Sequence, residues 1–295
     1  MPILVVIALS VAGAAGQLRV HTSSSTGIPT NLIVGRAVCA HGTWLLSDRL
    51  DLIVITDPAR QVTVRRLQGL RANDRPWGLA CLADGTLWSL AAPRVLIRIG
   101  VEGVVRERVE LRFPRVAMFG WTDRLLFIDW PMVIAKPLLA TAIPRATGDS
   151  MPWPRFLARA AEARADLVAR NLVNCGIGNS RRLPCWFADD RRAIVSDGAS
   201  ANVVSFVALS VGDVVAATPI WDLAMGGADT LWLLASSRGS AGAAVSGGRL
   251  VKTDGRGTEL ASLALVPPAR MIVAATDTSC VLLTVDGRLM EVIGG

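Results

Sequence analysis

The chain has no tyrosine and only two histidines, His21 and His41. Lysine occurs only at Lys136 and Lys252, so the net charge of +7 is carried almost wholly by arginine. Each scarcity excludes something. With so few histidines, no His/Cys cluster in the sequence suggests zinc or haem. The five cysteines, Cys39, Cys81, Cys175, Cys185 and Cys280, are odd in number and include no CxxC, which argues against a full disulfide framework. There is no GxSxG nucleophile elbow and no P-loop. The only GxG-like fragment near a predicted helix, Gly176-Ile177-Gly178, follows that helix instead of opening it, the wrong order for a dinucleotide site. The apolar run 3–11 is too short to span a bilayer as a helix, and no later segment reads as an integral membrane span.

What is present describes a packed chain. Of its 295 residues 52% are hydrophobic and 19% charged, a composition for one large folded domain. Residues 1–16 carry no charge and end in Ala12, Gly13, Ala14, Ala15 and Gly16, the pattern of a secretory signal peptide. The expectation is therefore a signal peptide over 1–16, a single domain over 17–295, and a secreted or periplasmic product. Cys39, Cys81 and Cys280 fall inside apolar strands, where a cysteine reads as a small buried residue. Cys175 and Cys185 flank a loop with Gly176, Gly178 and Pro184, and are the disulfide candidate in an oxidising compartment.

A phrase of apolar strand, polar turn and apolar strand recurs six times, at 33–48, 76–90, 115–129, 183–197, 219–235 and 270–285. Its second-strand anchors, Trp44, Leu87, Leu125, Ala193, Leu231 and Val281, are 43, 38, 68, 38 and 50 residues apart. A period near forty that encodes antiparallel strands is the pattern of propeller blades. The predicted fold is all-β, a six-bladed β-propeller. Third strands are expected at 52–56, 95–99, 132–135, 202–207, 249–252 and 288–293, and fourth strands at 62–67, 104–111 and 258–263. The last repeat lacks a fourth strand, and Leu18-Arg19-Val20-His21 can supply it by pairing with 288–293. The long third interval reads as an insertion: a loop over 137–151, then a helix over 152–173, with Pro152 and Pro154 at its start and Phe156, Leu157, Ala160, Ala161, Leu167, Val168 and Leu172 at helical spacing. That helix reads as packing on the rim, or else as a docking element for a partner.

The phrases Ala193-Ile194-Val195-Ser196-Asp197, Trp44-Leu45-Leu46-Ser47-Asp48 and Asp84-Gly85-Thr86-Leu87-Trp88 resemble the six-bladed propellers of the NHL and SMP-30/gluconolactonase type. The resemblance covers about residues 30–293. It implies a ligand site at the channel mouth where the first strands begin, and in lactonase-type members a divalent metal there, held by Glu, Asn and Asp. In this chain the first strands are expected to start at Asn31, Arg75, Arg115, Arg182, Thr218 and Arg270. Four guanidinium groups and no carboxylate do not suit a hard cation, which needs oxygen ligands. The streptogramin-lyase branch would need a channel histidine, whereas His21 is expected in the closing strand and His41 in a hairpin turn.

These observations point to an exported binding or scaffold module without a cofactor or a metal. Its candidate ligand-binding residues are Arg75, Arg115, Arg182, Arg270, Trp77, Trp221, Asp222 and Asn31. Arginine forks match carboxylate, phosphate and sulfate, so the expected partner is an anionic glycan or metabolite, or an acidic protein, and not nucleic acid. The chain is expected to be monomeric outside a complex. The alternative is an enzyme, a lactonase- or hydrolase-like or lyase-like propeller using Asp222 or Asp197 with Asn31. Asp222 is the one carboxylate expected inside a first strand, where it needs a cationic partner such as Arg182 or Arg270.

Overall fold

A computed structural model describes residues 17–26, 28, 33–56, 60–82, 84–111, 115–121, 124–129, 141–143, 151–152, 172–178, 182–187, 192–196, 201–205, 220–227, 229–236 and 247–294. These residues form antiparallel sheets. The first contains β2 (Ile33–Cys39), β3 (Gly42–Ser47), β4 (Asp51–Thr56) and β5 (Val62–Arg66), in chain order. The second contains β6 (Trp77–Cys81), β7 (Leu87–Ala92), β8 (Val95–Ile99) and β9 (Val105–Glu110). The third contains β10 (Arg115–Trp121), β11 (Arg124–Asp129), β12 (Thr141–Ile143) and β13 (Met151–Pro152); the fourth, β14 (Leu172–Cys175), β15 (Leu183–Phe187), β16 (Arg192–Ser196) and β17 (Ala201–Ser205). The last sheet has seven strands, in the order β1 (Leu18–Ser25), β23 (Arg288–Gly294), β22 (Ser279–Thr284), β21 (Glu259–Ala275), β20 (Gly247–Thr253), β19 (Leu231–Ser236) and β18 (Ile220–Met225). Its 17-residue β21 is shared: the first half pairs with β20 and the second with β22.

The middle strands explain how the sheets stack. Successive side chains of a strand point to opposite faces, and here both faces meet a core. In β19, Leu231 and Leu233 pack with Ala193 and Val195 of the fourth sheet, while Trp232 and Leu234 pack with Ile272 and Leu282. In β22, Cys280 and Leu282 join that second layer, while Val281 and Leu283 pack against Leu45 and Ile53 of the first sheet. Trp44 and Leu46 then face Leu79 and Leu87 of the second sheet, whose Trp88 and Leu90 face Met118 and Leu125 of the third. Core layers thus run without a break from the fourth sheet through the last, first and second to the third. The outer strand β5 is solvated on both faces, with Thr63, Val64, Arg65 and Arg66 exposed, and its charges guard a free edge.

At the inner end of each sheet the first strands approach backbone to backbone. A Cβ built on Gly35 of β2 would lie 2.8 Å from the backbone of Gly78 and Leu79, and one on Gly176 would lie 2.0 Å from Leu223 O. Only glycine fits at these approaches. Each first strand also carries one extra residue near its start relative to its neighbour, as the register shifts at Ile33/Gly35, Arg115/Ala117, Leu172/Asn174, Ile220/Asp222 and Ala269/Met271 record. Such bulges bend and twist the strand.

Several expectations are met and several corrected. The terminal pairing is present: Leu18 lies opposite Gly294, Arg19 opposite Ile293 and Val20 opposite Val292. In the fourth sheet the segment read as first and second strands is instead the second and third, β15 and β16, because β14 lies inside them. The third strand of the third sheet is β12, within the segment read as a loop over 137–151, and not 132–135, which lies outside the described residues. Both ends of the predicted helix over 152–173 are strand, Pro152 in β13 and Leu172 and Val173 in β14, and 153–171 lie outside the described residues. A four-residue apolar strand such as Leu172–Cys175 cannot be told from a helical turn by periodicity. Cys39 and Cys81 are not free apolar residues: they form a disulfide between β2 and β6, with Cα atoms 5.6 Å apart. Cys280 is buried and free, and burial, with Asp222 nearby, pushes its thiol pKa well up.

Deleting residues 17–25 strips β23 of its partner and uncovers the core layer that Leu18 seals at 3% exposure. The melting temperature, read by far-UV circular dichroism, should fall by many degrees, at about 2–4 °C per kcal/mol lost. An unchanged melting curve would show that the terminal strand does not hold the last sheet.

Candidate functional site

Antiparallel order gives the molecule two faces. The first strands begin on one, here the start face, and turn into the second strands on the other, the hairpin face. The connection between β5 and β6 (67–76), the β3–β4 turn at Asp48–Arg49 and the β7–β8 turn at Arg94 all lie on the start face. Arg49, Arg71, Arg75 and Arg94 are exposed there. Arg75 Nη1 donates only to carbonyls, those of Asp74 at 2.8 Å and Ala72 at 3.2 Å. None of the four stands in an ion pair among the described residues. The carboxylate beside them is already engaged. Asp74, 4% exposed, takes both arms of Arg108 from β9 at 2.7 and 2.8 Å, and the Arg71 backbone N–H at 2.7 Å.

The structure distributes the sequence-derived candidates unevenly. Arg75 and Trp77 lie together at the start of β6, Trp77 half-buried against the layer containing Ala80 and Trp88. Arg115 opens β10, and Asn31 lies outside the described residues. Arg270 is the extra residue of the bulge on β21; its Nη2 donates to Val285 O at 3.3 Å, and its carbonyl accepts from Trp221 Nε1 at 2.6 Å. Arg182 does not start a first strand. It sits in the turn between β14 and β15 on the hairpin face, 2.5 Å from Asp229. The shift follows from the extra strand in the fourth sheet.

Asp222 has the cationic partner it required, but that partner is Arg36 of β2, which the sequence reading did not select. Arg36 Nη2 donates to Asp222 Oδ1 at 2.9 Å, and Nη1 donates to Oδ2. Leu223 N–H adds a bond to Oδ1 at 2.9 Å and Ile272 N–H one to Oδ2 at 2.8 Å, while Arg36 Nη1 also donates to Ile272 O at 2.7 Å. The side chains are 14% and 5% exposed. The pair therefore joins β2 to β18 across the backbone of β21. Four donors fill the lone-pair positions of a carboxylate, which leaves Asp222 no acceptor with which to take a substrate proton. A signal for the pair was present in the sequence: Arg36 and Asp222 are each the sole charge in an otherwise apolar first strand.

Among the described residues no group of three or more His, Cys, Asp or Glu could hold a metal ion. The start-face positions offer guanidinium, so the donor set does not fit the metal that the family resemblance implies. His21 on β1 and His41 in the β2–β3 turn are both exposed. No described helix is long and apolar enough to cross a membrane.

Antiparallel sheets packed face to face in succession, with closely approaching first strands and the two chain ends paired in one sheet, define the chain as a β-propeller. Comparison with solved structures agrees. Virginiamycin B lyase from Staphylococcus aureus matches with a TM-score of 0.59 at 11% identity, over 94% of this chain and 99% of that one. A catalytically inactive histidine-to-alanine variant of that lyase, solved with quinupristin, matches at 0.57 and 11%, over 94% and 99%. YCF48 bound to D1 peptide matches at 0.51 and 12%, over 92% and 96%. At such identities the likeness is one of fold. No protein-family model and no curated protein matches the sequence.

Two predictions follow from these ion pairs. Asp222→Asn or Arg36→Met alone strands a buried charge and should cost about 3–5 kcal/mol in denaturant unfolding, whereas Arg36→Met with Asp222→Leu should recover most of it. Strict additivity of the single losses would show that the two are uncoupled. Asp74 is held below its ordinary value of 3.8, chiefly by the Arg108 hydrogen bonds. Its contribution is then complete above the unfolded pKa and is lost as pH falls through the lower folded value. Asp74→Asn should lower stability at pH 7 and flatten the loss of stability below about pH 4; an unaltered acid limb would refute the assignment.

Proposed function

We propose that the chain is an exported six-bladed propeller of the NHL or SMP-30/gluconolactonase kind that serves as a binding or scaffold module for an anionic ligand or acidic partner. The six-blade reading is supported by the strand arithmetic. Four sheets have four strands each, and the seven-stranded one resolves into two blades that share β21. Export is supported by the leader-like pattern over 1–16 and by the Cys39–Cys81 disulfide, a bond that persists in oxidising compartments.

The observation that carries the binding reading is the exposed set Arg49, Arg71, Arg75 and Arg94 on the start face of the first two sheets, none of which stands in an ion pair among the described residues. Guanidinium forks at this density attract carboxylate, sulfate or phosphate and give bidentate, charge-assisted bonds. The site is thus narrower than the sequence suggested: Arg75 remains, Arg182 belongs to the other face, and three arginines of neighbouring turns join it. YCF48, a propeller of similar shape, is solved with a peptide bound, a precedent for a protein segment as occupant. The lyase reading is weaker. The related enzyme is inactivated when a histidine becomes alanine, whereas both histidines of this chain are exposed at its outer strand and a turn, and Asp222 is saturated.

Replacing Arg49, Arg71, Arg75 and Arg94 together by Gln should weaken binding to polyglutamate or polyuronate by at least about tenfold at ~0.15 M salt, with melting unchanged. The control set is Arg65 and Arg66 on β5, Arg98 on β8 and Arg106 on β9; Arg108 is left intact because it holds Asp74. Equal losses from the two sets would mean diffuse charge and no site. Comparing the two probes separates an acidic protein from an acidic glycan.

A further inference from the structure

We propose that Cys175 and Cys185 form a second disulfide, which locks the β14–β15 hairpin on the hairpin face as Cys39–Cys81 locks the β2–β6 seam. The argument starts from register. Cys175 lies directly opposite Cys185 in the antiparallel pairing of β14 with β15. Gly176 N donates to Pro184 O at 2.8 Å, so the hydrogen bonds fall on the flanking residues and Cys175–Cys185 is a non-hydrogen-bonded pair. Such pairs have Cα atoms about 4.5 Å apart, with the Cβ atoms closest of any cross-strand position. That lies inside the range a disulfide bridges, about 4.4–6.8 Å.

Cysteine arithmetic points the same way. Of five cysteines, Cys39 and Cys81 are joined and Cys280 is buried in a core layer at 0% exposure. Only Cys175 and Cys185 remain. A chain that forms one structural disulfide has met an oxidant able to form another. The step is exchange with a protein or small-molecule disulfide. One thiolate attacks it and releases a thiol, and the second thiolate displaces the mixed disulfide. Two protein thiols are oxidised, one external disulfide is reduced to two thiols, and the protons balance.

The cross-link would act on the neighbouring sheet. The turn after β14 pairs in parallel with β18, through Ile177 N to Leu223 O at 3.0 Å and Met225 N to Ile177 O at 2.8 Å, and Arg182 reaches Asp229. Fixing both feet of this turn fixes the seam between the fourth sheet and the next. The hairpin face then carries two covalent staples, one on the first and second sheets and one beside β18.

The test is thiol counting on full-length protein purified from an oxidising compartment, denatured and alkylated without reductant. One reactive thiol, with the Cys175 and Cys185 peptides linked in the digest, is the expected result. Three thiols, or linkage of either cysteine to Cys280, overturns the proposal. A Cys39→Ser/Cys81→Ser variant removes the other bridge and should still show one thiol rather than three. In that variant reduction should raise amide exchange across residues 176–182; unchanged exchange there would refute the locking role.

Discussion

The ion pair between Arg36 and Asp222 is the interaction around which the inner part of the molecule is arranged. A carboxylate at 5% exposure inside an apolar first strand is tolerable only because four donors meet it. Two of those donors come from β2, one from β18 itself and one from β21, so the charge is stable only when three strands distant in sequence are in place. Desolvation makes the pair costly to break and weak as a source of net stability. Its consequence is positional: it fixes which first strands adjoin and at what height.

Around that pair the remaining contacts do similar work with neutral groups. Trp221 donates to the carbonyl of Arg270, Trp232 to that of Thr276, and Thr43 to that of Val273. Each bond ties one strand or sheet to the backbone of the neighbouring one. The glycine approaches at Gly35 and Gly176 leave no room for side chains between first strands, so polar satisfaction there must come from backbone and from these few long side chains. This is why the start face, and not the interior, carries the exposed arginines. The inner charges are consumed in holding the ring, and Arg49, Arg71, Arg75 and Arg94 sit on turns where water meets any unpaired face.

The same logic separates two further acid–base pairs, one on each face. Asp74 with Arg108 is a clamp from a connecting loop to an outer strand, with Arg71 adding a backbone N–H. It orders the segment that presents Arg71 and Arg75. Asp229 with Arg182 lies on the opposite face, more open to solvent, where a pair contributes little to stability.

The repeated strand–turn–strand phrase, its period near forty and the missing last strand were legible from the sequence, because an apolar strand and a polar turn are local properties that residues express regardless of what they pack against. They were sufficient for the strands of the first two sheets and for the pairing of Leu18–Val20 with the C-terminal strand. Other features were decided only by tertiary structure. The first strand Leu172–Cys175 is too short to announce itself, and its presence moved Arg182 from one face to the other. The Cys39–Cys81 bond and the Arg36–Asp222 pair join residues 42 and 186 positions apart. No local pattern states which distant strands will be neighbours; that is settled when the sheets stack and the chain ends meet, because only then do two lone charges or two thiols share a place from which water is excluded.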